Sequence, residues 1–474
     1  MKKFQWVPAL LLMLYFSTGA DARIRKDSKV HNPNEVQFWL TDPTAGIYFQ
    51  KQPNHVLFGP ASGGQTVIEV DAGQQFQTMD GFGNCLTDGS AMLLTRMSAT
   101  ARGALLKELF AWDKNNIGIS YLRISIGASD LSERPYSYND LAEGQSDMDL
   151  KKFSLEPNRK DLIPVLKEIL KINPSIKILG SPWSAPTWMK TNNNFKGGSL
   201  RKECFQVYAN YFVRYIQEMR KEGIPIDAIT IQNEPLHPGN NPSMYMTAED
   251  QALFVRQNLG PAFHAAGLKT KIIVYDHNAN KPIYPLTILR DPEAAKYVDG
   301  SAFHLYEGTI DALSEVHKEF PGKNLYFTEQ WIGSPANFPG DLAWHTKTLI
   351  IGASRNWCKN VLEWNMASDP DCHPHTDGGC DRCLGTVTLN GDQVTRNPAY
   401  YILAHAAKFV RPGSIRIASN VVENLPNVAF KTESGKIVLI VLNESKELKK
   451  FNIASKGKTI GVELWKGAVG TFIW

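Results

Sequence analysis

The sequence has few cysteines, no large excess of charge of either sign and no apolar run long enough to span a bilayer. Six cysteines in 474 residues can tie loops together but cannot build the fold, so a large hydrophobic core has to do so. A formal net charge of +4 predicts neither nucleic-acid binding nor attraction to an acidic polymer. We therefore expect a globular protein with no nucleic-acid partner and no membrane span, and nothing in the sequence specifies an oligomeric partner.

The first residues have the pattern of a secretory signal peptide. Two lysines precede an apolar run at residues 6–16, and small residues with an Ala20-x-Ala22 step follow. We expect residues 1–22 to be removed on export, so that the mature protein is periplasmic, extracellular or surface-associated rather than cytoplasmic.

Between about residue 80 and residue 410 one unit recurs: a short β-rich apolar run that ends in polar residues, then a loop, then a helical stretch. Eight such units predict an α/β fold, a closed parallel (β/α)8 barrel of the TIM type, which we assign to residues 79–409. The eight runs lie at residues 81–86, 120–127, 177–183, 228–234, 271–278, 301–308, 325–331 and 360–367. The helical candidates lie at residues 98–112, 161–172, 200–221, 247–266, 342–356 and 397–409.

The two ends of the chain carry short β-rich runs that have no helical period. Three lie between residues 35 and 71, and six follow Pro412-Gly413. Because these runs are too apolar to stay unpaired, we predict that residues 30–78 and 410–474 together form a β-sandwich attached to the barrel.

Two glutamates stand at the ends of predicted barrel strands, which is where TIM barrels carry their active sites. Glu234 ends the fourth run and Glu329 ends the seventh. Strands four and seven lie on opposite sides of an eight-stranded ring, so the two carboxyl groups can face each other across its mouth. Such a pair is typical of glycosidases, which retain configuration at a separation of about 5–5.5 Å and invert it at about 6.5–9.5 Å.

The neighbours of each glutamate indicate its role. Glu234 follows Asn233, whose amide can bind a sugar 2-hydroxyl, and partial burial is expected to keep the Glu234 carboxyl protonated as the acid/base. Glu329 is then the nucleophile that forms a glycosyl-enzyme, held ionised by donors such as Tyr306 or Arg123. Arg123 can also form a structural ion pair beneath the site, and the two interpretations are compatible.

Tryptophans at three strand ends are candidates for stacking against sugar rings. A tryptophan in such a position is as often part of the packing. We favour the sugar-stacking function for Trp183 and Trp364, and packing for Trp331.

Eight stretches, in order along the chain, resemble glycoside hydrolase family 30, which contains glucosylceramidases and endo-β-1,6-glucanases. They are GFGNCLTDGSAMLL, YLRISIGASD, SPWSAPTWMKTNN, QNEP, DPEAAKYVDG, HLYEG, FTEQ and EWN. The resemblance implies a barrel with a side β-sandwich, and retaining hydrolysis of β-glycosides without a metal or an organic cofactor. It implies Glu234 as acid/base and Glu329 as nucleophile. The residues that it implies for holding the innermost glucose are Asp130, Trp183, Asn233, His304, Tyr306 and Trp364, to which we add Arg123.

Two features are similar to the bacterial and fungal branch of the family that cleaves β-1,6-glucan. One is Gln232, directly before the Asn-Glu-Pro motif, and the other is a cysteine-bearing loop at residues 371–383. We therefore expect an endo-β-1,6-glucanase that acts on a β-linked glucan. A glucosylceramidase or an exo-acting β-glucosidase is the alternative within the family.

The cysteine-bearing loop has two interpretations. Three cysteines, at positions 372, 380 and 383, with His373 and His375 between them, are the residue types of a zinc site. In an exported protein a Cys-x-x-Cys step can instead close as a disulfide, which favours pairing of Cys380 with Cys383. In either case we expect the loop to shape the leaving-group side of the cleft.

Two other classes of function have weaker support. A metal-dependent barrel hydrolase could use Asp276, His277 and His304, but the His-x-His that such barrels usually carry on strand one is missing from this sequence. A non-catalytic sugar-binding barrel would have no need to keep both glutamates.

Overall fold

The computed structural model describes Met1 and residues 35–53, 56–59 and 66–474. Apart from Met1, the predicted signal peptide lies outside the described residues, and so do the first residues of the predicted sandwich segment 30–78. From residue 35 onward the described chain belongs to one compact unit.

Eight parallel strands, β1 to β8 in chain order, close into a barrel, as the sequence predicts. Each strand pairs with its neighbours in the sequence, and β8 pairs with β1 to complete the ring. The strands are β1 Gly81–Cys85, β2 Tyr121–Ser125, β3 Lys177–Ser181, β4 Ala228–Thr230, β5 Lys271–Asn278, β6 Val298–His304, β7 Asn324–Glu329 and β8 Cys358–Asn365.

The barrel interior is filled by an apolar layer to which each of the strands β2 to β8 contributes one side chain. These side chains are Tyr121, Leu179, Ala228, Ile273, Ala302, Tyr326 and Leu362. Because side chains alternate between the two faces of a strand, the next inward position lies two residues further on. On six of the seven strands that position carries Arg123, Ser181, Thr230, His304, Thr328 or Trp364. A largely polar layer therefore covers the apolar one at the C-terminal ends of the strands, where TIM barrels bind their substrates.

Strand β5 departs from this alternation near its end. Tyr275 (φ 76°) and Asp276 (φ 65°) both lie in the left-handed region. The pairing with β6 skips a residue there, since Ala302 pairs with Tyr275 and Phe303 pairs with His277. This bulge brings Asp276, rather than Tyr275, to the inward position.

Helices cover the outside of the barrel, and the predicted helical segments are present. Ser98 and Thr247 cap two of them by accepting a hydrogen bond from a backbone N–H of the first turn. The α-helices are Asp88–Arg96, Ala99–Phe110, Glu156–Arg159, Leu162–Ile172, Phe205–Lys221, Ala248–Phe254, Gly260–Ala265, Ile283–Leu289, Pro292–Ala295, Ala312–Glu319, Phe338–His345 and Pro398–Ala407. Short 3-10 turns lie at Thr187–Met189 and Lys202–Cys204, and π-helical segments lie at Val255–Leu259 and Thr346–Ala353.

Ten strands from both ends of the chain form the predicted β-sandwich. One hydrophobic cluster takes Leu439 and Phe472 from one half of the strand order and Phe451 and Ile453 from the other, so the sheet folds over on itself. In spatial order the strands are Ile47–Lys51, Glu35–Asp42, Val469–Ile473, Ile437–Leu442, Asn427–Lys431, Ile415–Ser419, Val67–Thr78, Lys449–Ser455 and Lys458–Leu464, and Val56–Leu57 pairs with Glu35–Asp42. Two small sheets lie in loops, one formed by Ile332–Gly333 with Cys383–Leu384 and one by Ala367–Ser368, Val387–Asn390 and Gln393–Arg396.

The sandwich and the barrel meet through buried contacts. The rings of Phe82 and Phe430 meet edge to face with their centroids 6.3 Å apart. His405 is fully buried between Thr41 and Thr471, with each ring nitrogen 2.8 Å from a hydroxyl oxygen. In the described part of the chain no helix is both long enough and apolar enough to cross a membrane.

Candidate active site

Arg123 lies at the centre of the polar layer and is fully buried. Its Nη1 donates to Oε2 of Glu329 at 2.6 Å, and its Nη2 donates to Oδ1 of Asn233 at 2.6 Å and to Oδ2 of Asp276 at 2.8 Å. One guanidinium thus holds side chains from β5, from β7 and from the segment that follows β4. Because a buried ion pair is costly when one partner is removed, loss of Arg123 would leave Glu329 and Asp276 without the guanidinium that pairs with both of them. These contacts fit both interpretations of Arg123, because it supports the predicted nucleophile Glu329 and also forms a buried ion pair with Asp276.

Asp276 is the second centre of the layer. Its Oδ2 accepts from Ser181 at 2.8 Å and Thr230 at 2.7 Å, and its Oδ1 accepts from Thr328 at 2.6 Å and lies 3.2 Å from Nε2 of His304. Burial alone would raise the pKa of Asp276, but the charge of Arg123 and these hydrogen bonds outweigh it and hold the pKa well below its usual range. The ionised Asp276 therefore orients His304 with its Nε2–H toward the carboxylate.

Glu329, predicted as the nucleophile, ends β7 with its carboxylate facing the cavity. Both donors proposed for it from the sequence reach it: Arg123 at Oε2, and the hydroxyl of Tyr306 at Oε1, at 2.9 Å. Burial raises the pKa of Glu329, the charges of His304 and Arg123 oppose that shift, and the carboxylate of Glu234 adds to it. Burial also raises the pKa of Tyr306, so its hydroxyl remains a donor.

Glu234 lies beyond the end of β4 rather than at its tip, because the strand pairing stops at Thr230. The backbone N–H of Asn233 donates to the carbonyl of Pro182, and that of Glu234 donates to the carbonyl of Asp276. Glu234 itself has a φ of 45°, a left-handed conformation that costs about 1–3 kcal/mol in a residue with a side chain. The chain thus turns sharply so that this carboxyl group points into the cavity.

The protonation of Glu234 differs from the expectation that burial alone keeps it protonated. Its Oε1 lies 3.0 Å from Nδ1 of His304 and 3.8 Å from Nδ1 of His277. Burial would raise the pKa of Glu234, but the nearby imidazole groups of His277 and His304 outweigh burial and hold it well below its usual range. The His304 imidazolium is disfavoured by burial, but Glu329, Asp276 and Glu234 raise its pKa to about 9. At neutral pH the proton that an acid catalyst needs therefore resides in the hydrogen bond between His304 and Glu234.

Asp130 and Asn233 lie beside the two glutamates, as the family resemblance implies. Burial and the charges of Glu329 and Glu234 raise the pKa of Asp130 to about 7. Its Oδ1 is buried and has no hydrogen-bond partner among the described residues, whereas Oδ1 of Asn233 is taken by Arg123. The free acceptor on Asp130 is suited to binding a sugar hydroxyl.

Trp183 and Trp364 pack against each other, with ring centroids 5.3 Å apart, and Arg123 lies 4.7 Å and 5.7 Å from the two ring centroids. Trp183 is 1% exposed, which limits its contact with a substrate to an edge, and Trp364 lines the cavity. Trp331, for which we favoured packing, is only partly buried and lines the cavity as well. Their contacts with a sugar stay predictions.

The cavity that contains both glutamates has a volume of about 530 Å³ and opens at the C-terminal end of the barrel. Its lining includes seven residues that sequence reasoning did not select: Leu236, His237, Asn240, Asn278, Asn280, Lys281 and Glu307. Most of them lie in loops, where neither periodicity nor strand position signals a function. Asp276 had a signal, its place at the end of β5, but was considered only for a metal centre.

The two metal-site hypotheses have different outcomes in the structure. Cys380 and Cys383 are joined by a disulfide, so two of the three thiols of the predicted zinc alternative are already paired. Among the described residues, the side chains that come close enough to share an ion are Glu234, His277 and His304, with ligand atoms within 4.8 Å of one another. The triplet considered from the sequence contained Asp276, whereas the triplet in the structure contains Glu234 together with the same two histidines.

Comparison with known families agrees with the geometry. The TIM-barrel domain of glycosyl hydrolase family 30 matches residues 79–410, and the β-sandwich domain of the same family matches residues 413–472. The chain belongs to glycoside hydrolase family 30. The resemblance seen in the eight motifs is therefore confirmed, and this family 30 chain is a glycosidase.

Several relatives of this family 30 enzyme match over most of their length. It is 36% identical over 362 residues to an endo-1,6-β-D-glucanase of Neurospora crassa, an alignment that covers 74% of each chain. It is 30% identical over 442 residues to the lysosomal acid glucosylceramidase of Mus musculus, covering 84% of this chain and 83% of that one. A solved endo-β-1,6-glucanase superposes with a TM-score of 0.87 at 35% identity, covering 93% of this chain and 99% of that one.

Proposed function

We propose that this family 30 enzyme is an endo-β-1,6-glucanase that retains the anomeric configuration of its substrate. The observation that carries retention is the position of His304 between the two glutamates. Its Nδ1 lies 3.0 Å from Oε1 of Glu234 and 3.7 Å from Oε1 of Glu329. These two oxygens are therefore at most about 7 Å apart, a bound that includes the carboxyl separation of about 5–5.5 Å in retaining enzymes and excludes most of the range of about 6.5–9.5 Å in inverting ones.

The reaction proceeds in two displacements. Glu329 attacks the anomeric carbon and forms an ester, and the bond from that carbon to the glycosidic oxygen breaks. The proton shared by His304 and Glu234 passes through the Glu234 carboxyl group to the departing oxygen. Water then gives a proton to Glu234 and attacks the same carbon, which releases the Glu329 carboxylate. Arg123 and Tyr306 stabilise that carboxylate whenever it is free.

The change of Glu234 from acid to base follows from its coupling to Glu329. The charge of Glu234 contributes to the raised pKa of Glu329, and like-charge repulsion acts in both directions. Formation of the ester removes the charge of Glu329 and so lowers the pKa of Glu234 before the second step. In the free enzyme Nδ1 of His304 lies 3.0 Å from Oε1 of Glu234. The same hydrogen bond therefore holds the proton before the first displacement and receives it again in the second.

The choice of β-1,6-glucan rests on the relatives. Three fungal endo-1,6-β-D-glucanases are 34–38% identical to this chain, compared with 30% for the mouse glucosylceramidase. Gln232, which directly precedes the Asn-Glu-Pro motif, supports the same branch. Its side chain is fully buried, and its Nε2 donates to the carbonyl of Trp183 at 2.7 Å, so it links the loops after β3 and β4.

Product analysis tests the proposal. The protein is incubated with β-1,6-glucan, β-1,3-glucan, a β-glucosylceramide and a xylan, and product lengths are followed over time. We expect a ladder of β-1,6-linked oligosaccharides from the first substrate. Glucose alone would indicate an exo-acting β-glucosidase, and preferred cleavage of the glycolipid would indicate a glucosylceramidase.

We also propose that the protein is exported. Support comes from the two lysines, the apolar run and the Ala20-x-Ala22 step at the start of the chain. Expression of the full chain in a bacterial host, followed by sequencing of the N-terminus, tests this. Mature protein that starts near residue 23 in the periplasm or medium is expected, and an intact N-terminus in the cytoplasm would contradict the proposal.

A further inference from the structure

The segment that follows β8 forms one side of the catalytic cavity. Its disulfide, between Cys380 and Cys383, lines the same cavity as Glu234 and Glu329. Trp331, two residues beyond Glu329, lines the cavity too, and both Trp331 and Cys380 pack against the buried cluster that contains Cys383. The proposed mechanism assigns no role to the disulfide or to this tryptophan.

The strand that carries the disulfide pairs directly with the strand that follows Trp331. Gly333 is opposite Cys383 in a short antiparallel ladder, and the backbone N–H of Ser334 donates to the carbonyl of Arg382 at 2.8 Å. The ring of Trp331 folds over this ladder, because a Cβ on Gly333 would lie only 3.2 Å from its Cη2 atom. The indole therefore lies against a ladder whose other strand carries Cys383 of the disulfide.

Another part of the segment is bound to the loops that carry Asp130 and Asn241. The backbone N–H of Thr376 donates to the carbonyl of Asp130 at 2.8 Å, and its hydroxyl donates to the carbonyl of Asn241 at 2.5 Å. The side chain of Asn241 donates in turn to the carbonyl of Asp377 at 2.9 Å. The segment thus connects the loop of Asp130, the loop after Glu234 and the ladder beside Trp331.

We propose that Trp331 and the Cys380–Cys383 disulfide form an acceptor wall, which binds the sugar on the leaving-group side of the scissile bond. This inference rests on the proposed function. Asp130, Asn233 and Trp364, at the floor, are 6%, 4% and 3% exposed, whereas Trp331 and Cys380 are only partly buried. A sugar held at the floor therefore places its leaving group against Trp331 and Cys380. An indole face offers a broad apolar surface to the C–H face of a glucose ring.

The chemistry of the linkage gives a reason for a rigid wall. In a β-1,6 linkage the leaving glucose is attached through its C6 methylene, which adds a rotatable bond that must be immobilised on binding. A platform that is already held by a strand ladder loses little further freedom itself, so less entropy is lost in total when that sugar binds.

Two substrates separate the acceptor wall from the catalytic groups. A β-1,6-linked glucose trisaccharide reaches the wall, whereas β-glucosyl fluoride, whose leaving group is a single atom, does not. For Trp331→Ala and for the double variant Cys380→Ser/Cys383→Ser we expect kcat/KM to fall about tenfold on the trisaccharide and to stay within about twofold on the fluoride. Trp331→Phe keeps an aromatic face and should recover part of the loss. Trp344→Ala, at an exposed tryptophan on the helix Phe338–His345, is the matched control.

A third variant tests whether the disulfide acts through the indole. In the Trp331→Ala background, loss of both cysteines should reduce trisaccharide kcat/KM by much less than tenfold, because contacting groups are not additive. Thermal unfolding of each variant establishes that it is folded.

Equal losses on both substrates, or no loss on the trisaccharide, would overturn the acceptor wall. Failure of the proposed linkage is a different result: the wild type would then hydrolyse the fluoride but leave the β-1,6 trisaccharide intact. In that case the same variants are compared on the oligosaccharide or glycolipid that the wild type does cleave, and the same two results decide.

Discussion

The Nδ1 atom of His304 lies 3.0 Å from Oε1 of Glu234, and the two groups share one proton at neutral pH. Asp276 accepts from the other ring nitrogen, so the imidazole cannot rotate away from the glutamate. Because Asp276 is itself held by Arg123, the position of this proton depends on residues from several strands of the barrel. The acid catalyst is therefore a hydrogen-bonded pair rather than an isolated buried carboxyl group.

Replacement of His304 should change the pH profile. The pKa of His304 is raised to about 9, so the wild-type pair loses its proton, and kcat/KM falls, near pH 9. In His304→Asn the carboxyl group of Glu234 has to hold the proton alone, so the basic limb should move to lower pH by at least about one unit. Kinetics between pH 4 and pH 10 measure this shift. An unmoved basic limb would show that the pair does not supply the proton.

Replacement of the acid/base should affect substrates according to their leaving groups. We expect Glu234→Gln to lose roughly 10²–10⁴-fold in kcat/KM on β-1,6-linked oligosaccharides, the usual size of general acid–base help. Activated aryl β-glucosides should lose less in the first step, because their leaving groups depart without a proton. Similar losses on both kinds of substrate would contradict this role for Glu234.

The nucleophile can be tested by removing it and by weakening its support. Glu329→Ala should have no measurable turnover, and no glycosyl-enzyme should form with a fluorinated β-glucoside in mass spectrometry. Tyr306→Phe keeps the ring and removes only the 2.9 Å hydrogen bond to Oε1, so about a tenfold loss of kcat/KM is expected. Unchanged turnover of Glu329→Ala would remove the proposed mechanism.

A buried histidine between the two domains should make stability depend on pH. Burial lowers the pKa of His405 to about 3, whereas in the unfolded chain it is about 6.5. Above pH 6.5 the neutral ring carries no penalty. As the pH falls from 6.5 toward 3, only the unfolded chain binds the proton, so stability is lost by up to about 1.4 kcal/mol per pH unit.

The control for that prediction is His405→Asn, which is polar but does not titrate. Chemical denaturation at pH 7 and at pH 4.5 gives the free energy of unfolding of both proteins. The advantage of the wild type over the variant should shrink at the lower pH. An advantage that is independent of pH would mean that His405 does not titrate as its burial implies.

Local patterns in the sequence were sufficient to predict the eight barrel strands and the place of both glutamates, because an apolar run with a polar end depends on few neighbours. The inward position of Asp276 could not be predicted, since it depends on a bulge at two residues with positive φ. The protonation of Glu234 was expected from burial alone. It instead follows from His277 and His304, which the chain brings near only on folding. For Trp331 the sequence favoured packing, because the strand that pairs beside it, Cys383–Leu384, lies far away in the sequence.

The most direct test of the account is proton NMR of β-1,6-glucan during its hydrolysis by the wild-type protein. The anomeric signals of newly formed reducing ends are followed from the first minutes, before mutarotation mixes them. The account predicts β-anomers of short β-1,6-linked oligosaccharides first, with α-anomers growing in later. α-Anomers as the first product, or no cleavage of this glucan, would contradict it.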